Sequence, residues 1–399
     1  MKRRSQIWGA VGLSAAMALG LPAGPATAKT HKPKPPPRRF YVQTNSPSGN
    51  AVKVFSRGKD GALKAGKTYP TGSVGSGSLR PATPFPFTES TGSVALSHNG
   101  RLLFATNHGG NTVTSFRVTG TGLKRVSTMP SGGAGPLSVA ASPNDKLVYV
   151  LNEAKPATIF GFTVGSTGVL KPMGDSTRTL AYPGGFPGEL RFSPSGKVLV
   201  VTDREAGPGE EPDFIESFKV RGSGRVTAVP PTPSTGQTPF GFTFASGGAL
   251  VVTYPDNDRF GLSTVGSYAT SNNGTLTPED VHATNATASC WIVATRDQKY
   301  VFVSNTLSSS ISAFAVVNNS HLSPVNLNVG QTEGAPLELT ISHDGKFLYV
   351  VNVDPGVIAN DPNARTDVDI FRIGSGATLT KVGTGAQGLP TTASGGVAW

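Results

Sequence analysis

Seven times along this chain a run of apolar, mostly β-branched residues ends on a marker residue: Asn45, Asn107, Asn152, Asp203, Tyr254, Asn305 and Asn352, at spacings of 62, 45, 51, 51, 51 and 47. One unit, Gly135 to Val164, shows what repeats. Leu137 to Ala141 is a short run of small apolar residues. Ser142-Pro143-Asn144-Asp145 is a turn, because proline presets its φ and Asn and Asp accept local backbone hydrogen bonds. Lys146 to Leu151 is β-branched and aromatic, and Thr158 to Val164 alternates with the period of two of a half-buried strand. A unit of this length holding about four strands is the signature of a propeller blade. The predicted fold is therefore all-β, a seven-bladed β-propeller.

The turn between first and second strands recurs as Ser97-His98-Asn99-Gly100, Ser193-Pro194-Ser195-Gly196 and Ser342-His343-Asp344-Gly345. Ala245-Ser246-Gly247-Gly248 and Thr295-Arg296-Asp297-Gln298 are degraded copies. Third strands are expected at Val113 to Val118, Ile159 to Val164, Ile215 to Val220, Ile311 to Val316 and Val368 to Ile373. The two ends explain each other. Phe40-Tyr41-Val42 is a second strand with no first strand before it, and Gly395 to Trp399 is a first strand with no second. Joining them completes blade one and leaves no open inner edge in the ring.

The β pattern begins only at residue 40. Ahead of it, Lys2-Arg3-Arg4, an apolar run from Ile7 to Leu21 and Ala26-Thr27-Ala28 have the layout of an export signal, expected to be cleaved after Ala28. Gln6 stands where a twin-arginine signal wants an apolar residue, which favours the general secretory type. The run is too short and too broken by Gly and Pro for a permanent membrane span. Residues 29–39 are a basic, proline-rich spacer, and 40–399 the propeller.

The formal charge of +11 is a property of that tail. Residues 1–39 hold eight Lys/Arg and no acid, which leaves 27 bases against 24 acids in the remainder. A nucleic-acid surface needs a basic face on the folded body, and composition points to none; contact of the spacer with an anionic envelope carbohydrate competes with simple solvation. The single cysteine, Cys290, excludes an internal disulfide. Beside Trp291 at a strand start, it reads as an inert buried thiol.

Two glutamates carry the functional reading. Glu189 and Glu338 take the position of Ser138 in the reference unit, at the start of the inner strands of blades four and seven, so both should face one channel. Arg191, two residues after Glu189, shares its strand face. Charged groups are seldom buried there without a partner, so an ion pair competes equally with a catalytic role. Ligands are expected on the rim where loops after the second strands converge. Three of those loops mix one arginine with several acids: Asp203, Arg204, Glu205, Glu210, Glu211 and Asp213; Asp256, Asp258 and Arg259; Asp354, Asp361, Arg365 and Asp367. None has the full spacing of a calcium loop, and solvated loop tips are the simpler account.

The other motifs are weak. No Gly-x-Ser-x-Gly occurs. Gly383-Thr384-Gly385-Ala386-Gln387-Gly388 matches a dinucleotide fingerprint, but Leu389-Pro390 stops any helix after it, so it reads as a loop between blades. The six histidines lack metal-ligand spacing; His98 and His343 fall in exposed turns, and His108 beside Asn107 is the one on the ligand rim. No metal or other cofactor is expected.

Tyr149-Val150-Leu151-Asn152 and Tyr349-Val350-Val351-Asn352, with their Ser-Pro-Asn-Asp and Ser-His-Asp-Gly turns, resemble the seven-bladed propellers of the lactonase family. That family groups 6-phosphogluconolactonases with carboxymuconate-cyclising enzymes and Tyr-Val-Thr-Asn repeat surface proteins. The likeness covers Phe40 to Trp399, and Glu189 to Gly196 with Ala288 to Val293 point to an exported bacterial branch. Enzymatic members carry histidines just before an inner strand in mid-chain, where this chain reads Gly184-Gly185-Phe186-Pro187-Gly188-Glu189, so no family catalytic residue carries over. The resemblance implies an exported monomer that hydrolyses a small sugar-derived or carboxylated lactone. Glu189 or Glu338 would activate water, and Arg191 or Arg204 would stabilise the oxyanion. The competing expectation is a non-catalytic propeller that binds envelope material.

Overall fold

In the computed structural model the described residues are 1, 9, 35–77, 92–182, 186–204, 213–354 and 365–399. The chain divides into two units, Met1–Pro35 and Pro36–Trp399, and every element below belongs to the second. Apart from residues 1 and 9 the expected signal, most of the spacer, and Gly184, Gly185, Glu205, Glu210, Glu211 and Asp361 lie outside the described residues.

Seven antiparallel sheets follow one another. Their inner strands are Ser394–Ala398 (blade 1), Val94–Leu96 (2), Pro136–Ala141 (3), Pro187–Phe192 (4), Phe242–Phe244 (5), Ser289–Ala294 (6) and Ala335–Ile341 (7). Blade 1 closes as the sequence requires: Ser394–Ala398 lies antiparallel to Arg39–Gln43, with Tyr41 opposite Val397. Trp399 N–H donates to the Arg39 carbonyl at 2.8 Å, and the Trp399 carbonyl accepts from Arg39 N–H at 3.2 Å. Seven hydrophobic clusters fill the gaps between neighbouring blades, the one between blades 7 and 1 included. In that closing cluster Phe40, Phe55, Phe347 and Tyr349 are buried, each contributing roughly 1.5–3 kcal/mol.

The marker residues work. Asn107 donates through Nδ2 to Thr112 Oγ1 (3.0 Å) and Thr114 Oγ1 (2.9 Å), and Asn305 does the same to Ser310 Oγ (3.0 Å) and Ser312 Oγ (2.9 Å), pinning the second strand to the third. The repeat tyrosines cross between blades: Tyr149 Oη donates to the Gly224 carbonyl at 3.0 Å and Tyr349 Oη to that of Gly61 at 2.8 Å. All six expected turns close with a hydrogen bond from the fourth residue to the first. In all but the turn led by Ala245 the leading hydroxyl then accepts the N–H that opens the second strand, as from Leu102, Leu147, Val198 and Phe347 to Ser97, Ser142, Ser193 and Ser342 at 2.9–3.1 Å.

Two expectations are corrected. The second strand of blade 1 ends at Gln43, opposite Ser394, two residues before Asn45; the left-handed φ of Asn45 (47°) takes it out of the ladder. The glycine-rich run 383–388 is not a loop between blades but part of the outer strand Leu379–Leu389, paired to Thr366–Ile373 with two register shifts that its small residues accommodate. Among the described residues no helix is long and apolar enough to cross a membrane.

Candidate functional site

The register of each inner strand fixes which side chains meet near the axis. Leu190 opposes Val201 and Leu339 opposes Val350, as Val139 opposes Val150, so Glu189, Glu338 and Ser138 hold one level of the ring. By the same register Ser93, Gly241, Trp291 and Gly396 complete that level, and all but Trp291 are small enough to leave space. Glu189 and Glu338 are only 1% and 7% exposed, so each carboxyl must be met inside the protein.

Their partners are few. Arg191 donates through Nε to Glu189 Oε1, and the Phe242 backbone N–H donates to Glu189 Oε2 at 2.8 Å across the gap left by Gly241. Gly92 N–H donates to Glu338 Oε2 at 3.3 Å. Gly92 has φ +72°, and a Cβ there would come within 3.1 Å of Ser138 Oγ and 3.7 Å of Glu189 Oε1, so glycine brings the backbone between the two carboxyls. Burial first, then the charge of Glu189, pushes the Glu338 carboxyl up to about 8. Glu189 is also raised by burial, opposed by Arg191 and the Phe242 N–H. Among the described residues the pair therefore differs: Glu189 is hydrogen-bonded by a cation and a backbone donor, whereas Glu338 is hydrogen-bonded by the Gly92 N–H and feels the Arg191 charge only from a distance.

Both glutamates and Arg191 line one cavity of about 410 Å³ that follows the inner strands. Its other end is bordered by His98, Arg296, His343 and Trp399, which belong to the turns and to the closing strand. The His343 and Trp399 rings stack there, 3.9 Å apart and 12° from parallel. Exposure runs from the buried glutamates to exposed His98 and His343, so the described cavity opens on the turn rim, opposite to the rim expected from loop length. Small residues at the carboxyl level and the short turns explain this, and of the two only the turns leave a repeated mark in the sequence.

Arg204 is not brought to this cavity. Its guanidinium lies over the Phe240 ring at 5.1 Å, and its charge acts on Asp258 and Cys290. Cys290 is half-buried, and burial followed by the charge of Asp258 pushes its thiol far up, as suits an unreactive sulfur. His108 Nε2 bonds Glu153 Oε1 at 2.5 Å between the blade 2 and blade 3 loops. In the other rim loops Asp256 pairs with Arg259 at 2.6 Å, Asp213 accepts from Thr238 N–H at 2.5 Å, and Asp354 N–H donates to the Arg365 carbonyl at 3.0 Å. Burial and the neighbouring Asp369 raise Asp367 to about 6. Among the described residues no group of three or more His, Cys, Asp or Glu side chains is placed to hold a metal ion.

Trp291 is what sequence reasoning passed over. It sits level with the glutamates, 3% exposed, its ring edge-on to Phe240 at 5.2 Å, and its indole N–H has no acceptor among the described residues. Only the alignment of its strand with that of Glu189 could have singled it out.

Solved structures with this architecture are numerous. A Lactobacillus plantarum protein matches with TM-score 0.66 at 17% identity, covering 89% of this chain and 97% of its own. A Bacteroides uniformis protein taken to be a 6-phosphogluconolactonase gives 0.63 at 19%, covering 90% and 99%. The periplasmic gluconolactonase of Pseudomonas aeruginosa gives 0.62 at 19%, covering 90% and 98%. At these identities the likeness is one of fold. No curated protein sequence matches. The sequence profile described as Lactonase, 7-bladed beta-propeller, matches residues 38–183 and 262–359, more than half of the chain. With the ring closed as that description requires, the chain belongs to the lactonase family of seven-bladed β-propellers.

Proposed function

We propose that the protein is an exported hydrolase that opens a small sugar-derived or carboxylated lactone, with Glu189 and Glu338 as its reacting pair. The observation that carries this reading is the asymmetry of the two buried carboxyls in one cavity. Glu189, held by Arg191 and the Phe242 N–H, is the one equipped to be ionised and to take a proton from water. Glu338, at about 8, is mostly protonated at neutral pH and can donate to the carbonyl oxygen. Water oxygen bonds to the acyl carbon as its proton passes to Glu189. The tetrahedral species collapses by breaking the bond from that carbon to the ring oxygen, which takes the proton back from Glu189 and leaves as the hydroxyl of a hydroxy acid. Glu338 holds its own proton against the carbonyl oxygen throughout.

Family membership supports lactone chemistry, and the charged, apolar and small-residue order of residues 2–28 supports export. All the groups invoked come from one ring, so a monomer suffices. Lactone opening releases acid, which makes a pH-indicator screen of aldonolactones and carboxylated lactones the direct test. Turnover by the native protein and its loss in Glu189→Gln are expected. No turnover on any lactone would leave a propeller that binds envelope material without catalysis.

A further inference from the structure

The turns repeat more than their hydrogen bonds. The residue after the turn is Arg101 in blade 2, Lys146 in blade 3, Lys197 in blade 4, Lys299 in blade 6 and Lys346 in blade 7, with Ala249 the exception in blade 5. All five bases are exposed and make no side-chain ion pair or hydrogen bond among the described residues. The turns themselves hold three acids against these five bases, and each acid is hydrogen-bonded or paired. Asp145 accepts from His98 N–H at 2.5 Å and Asn99 N–H at 3.2 Å, Asp344 pairs with Arg57 at 3.1 Å, and Asp297 accepts from Thr295 Oγ1 at 2.6 Å. The composition of the whole body, close to balance, hides a basic collar on one rim. Three of these bases follow the turns that carry His98, Arg296 and His343, which border the open end of the cavity holding Glu189, Arg191 and Glu338.

We propose that the substrate reaches the glutamates through the turn rim, and that the five-base collar with the His98, His343 and Trp399 mouth selects small anionic ring compounds. This rests on the reading of the glutamate pair as the reacting site, but it concerns access and is measured without substrate. Like charge on the collar attracts an anion over a Debye length, and a passage walled by low-dielectric sheets concentrates that field. The stacked His343 and Trp399 rings then offer a flat face at the mouth. Width sets the size limit: His98 and the His343–Trp399 stack border the opening on different blades.

Thr340 provides the probe. It lies two residues beyond Glu338 on the same strand face, lines the cavity and is half-buried. A Thr340→Cys protein, in a Cys290→Ser background, is treated with two methanethiosulfonates of similar size, one bearing a sulfonate and one a trimethylammonium group. Each rate is normalised to that of the reagent with free cysteine. The expected result is about a tenfold preference for the sulfonate at low ionic strength, lost in 1 M salt. Changing Lys146, Lys197, Lys299 and Lys346 to Glu should reverse the preference. His98→Trp should slow both reagents, and Glu153→Trp on the opposite rim should slow neither. Equal rates for the two reagents, a thiol silent to both, or slowing only by Glu153→Trp would overturn the proposal. Because no lactone is present, these results stand whether or not hydrolysis is found.

Discussion

The two rims of this propeller are made from the same repeat and have become opposite surfaces. On the turn rim the connection is four residues long, opens with Ser or Thr in five of six blades, and sends a base outward after it. On the loop rim the connections range widely in length and collect acids such as Glu153, Asp256, Asp258 and Asp354. The cause is geometric. A tight turn whose hydroxyl must accept a strand N–H has little freedom, so its chemistry repeats and its one free position is copied round the ring. A loop that no recurring hydroxyl has to close can lengthen at small entropic cost. The repetitive rim consequently frames the cavity, and the variable rim pairs its charges locally.

That contrast can be broken in several ways. The largest effect should come from the axial pair. Glu189→Gln should lower lactone hydrolysis by about 10²–10⁴-fold in steady-state kinetics, whereas Arg204→Ala on the loop rim should leave it unchanged. The opposite ranking would move the site to the loops.

The pH profile sharpens the same point. With Glu338 acting as an acid, kcat/KM should fall tenfold per unit above about pH 8, and Glu338→Gln should erase that limb while leaving the acid side. Stability follows with a definite sign. A carboxyl raised in the folded state binds more protons there than in the unfolded chain, so its contribution is complete below about pH 4.5 and lost as pH rises through about 8. Glu338→Gln should therefore raise Tm relative to the native protein at pH 9 and not at pH 4, as read by calorimetry.

Smaller effects separate the rims structurally. Ser342→Ala leaves the buried Phe347 N–H without its acceptor and should cost about 1–3 kcal/mol in urea unfolding. Arg259→Ala removes a solvent-screened pair from the loop rim and should leave the unfolding midpoint where it was. A turn-rim change that proved silent would remove the explanation for why that rim repeats.

Much of this was legible in the residues. Asn107, Asn152 and Asn305 end their strands because a short amide reaches the next strand, and that requirement leaves a periodic mark. The shared level of Glu189 and Glu338 was legible for the same reason, since position within a repeat is position within a ring. Asn45 misled because a marker residue can occur two places outside its ladder, and Arg204 because loop neighbours in sequence need not point to the axis. Glu216 gave no signal: burial lifts it to about 7, and its carboxylate accepts the Ala181 N–H at 2.8 Å from the preceding connection.

The amino-acid order alone determined the number of blades, the closure by the final strand and the level of the two glutamates, because each depends on hydrogen bonds and packing that recur at a fixed spacing. Only the tertiary structure decided that Gly92 enters between the carboxyls, that Trp291 packs on Phe240 at their level and that the cavity is bordered by His98, Arg296, His343 and Trp399 at its other end. Those features join residues from different blades around one axis, and the distance between separate copies of a repeat is not written within any one copy.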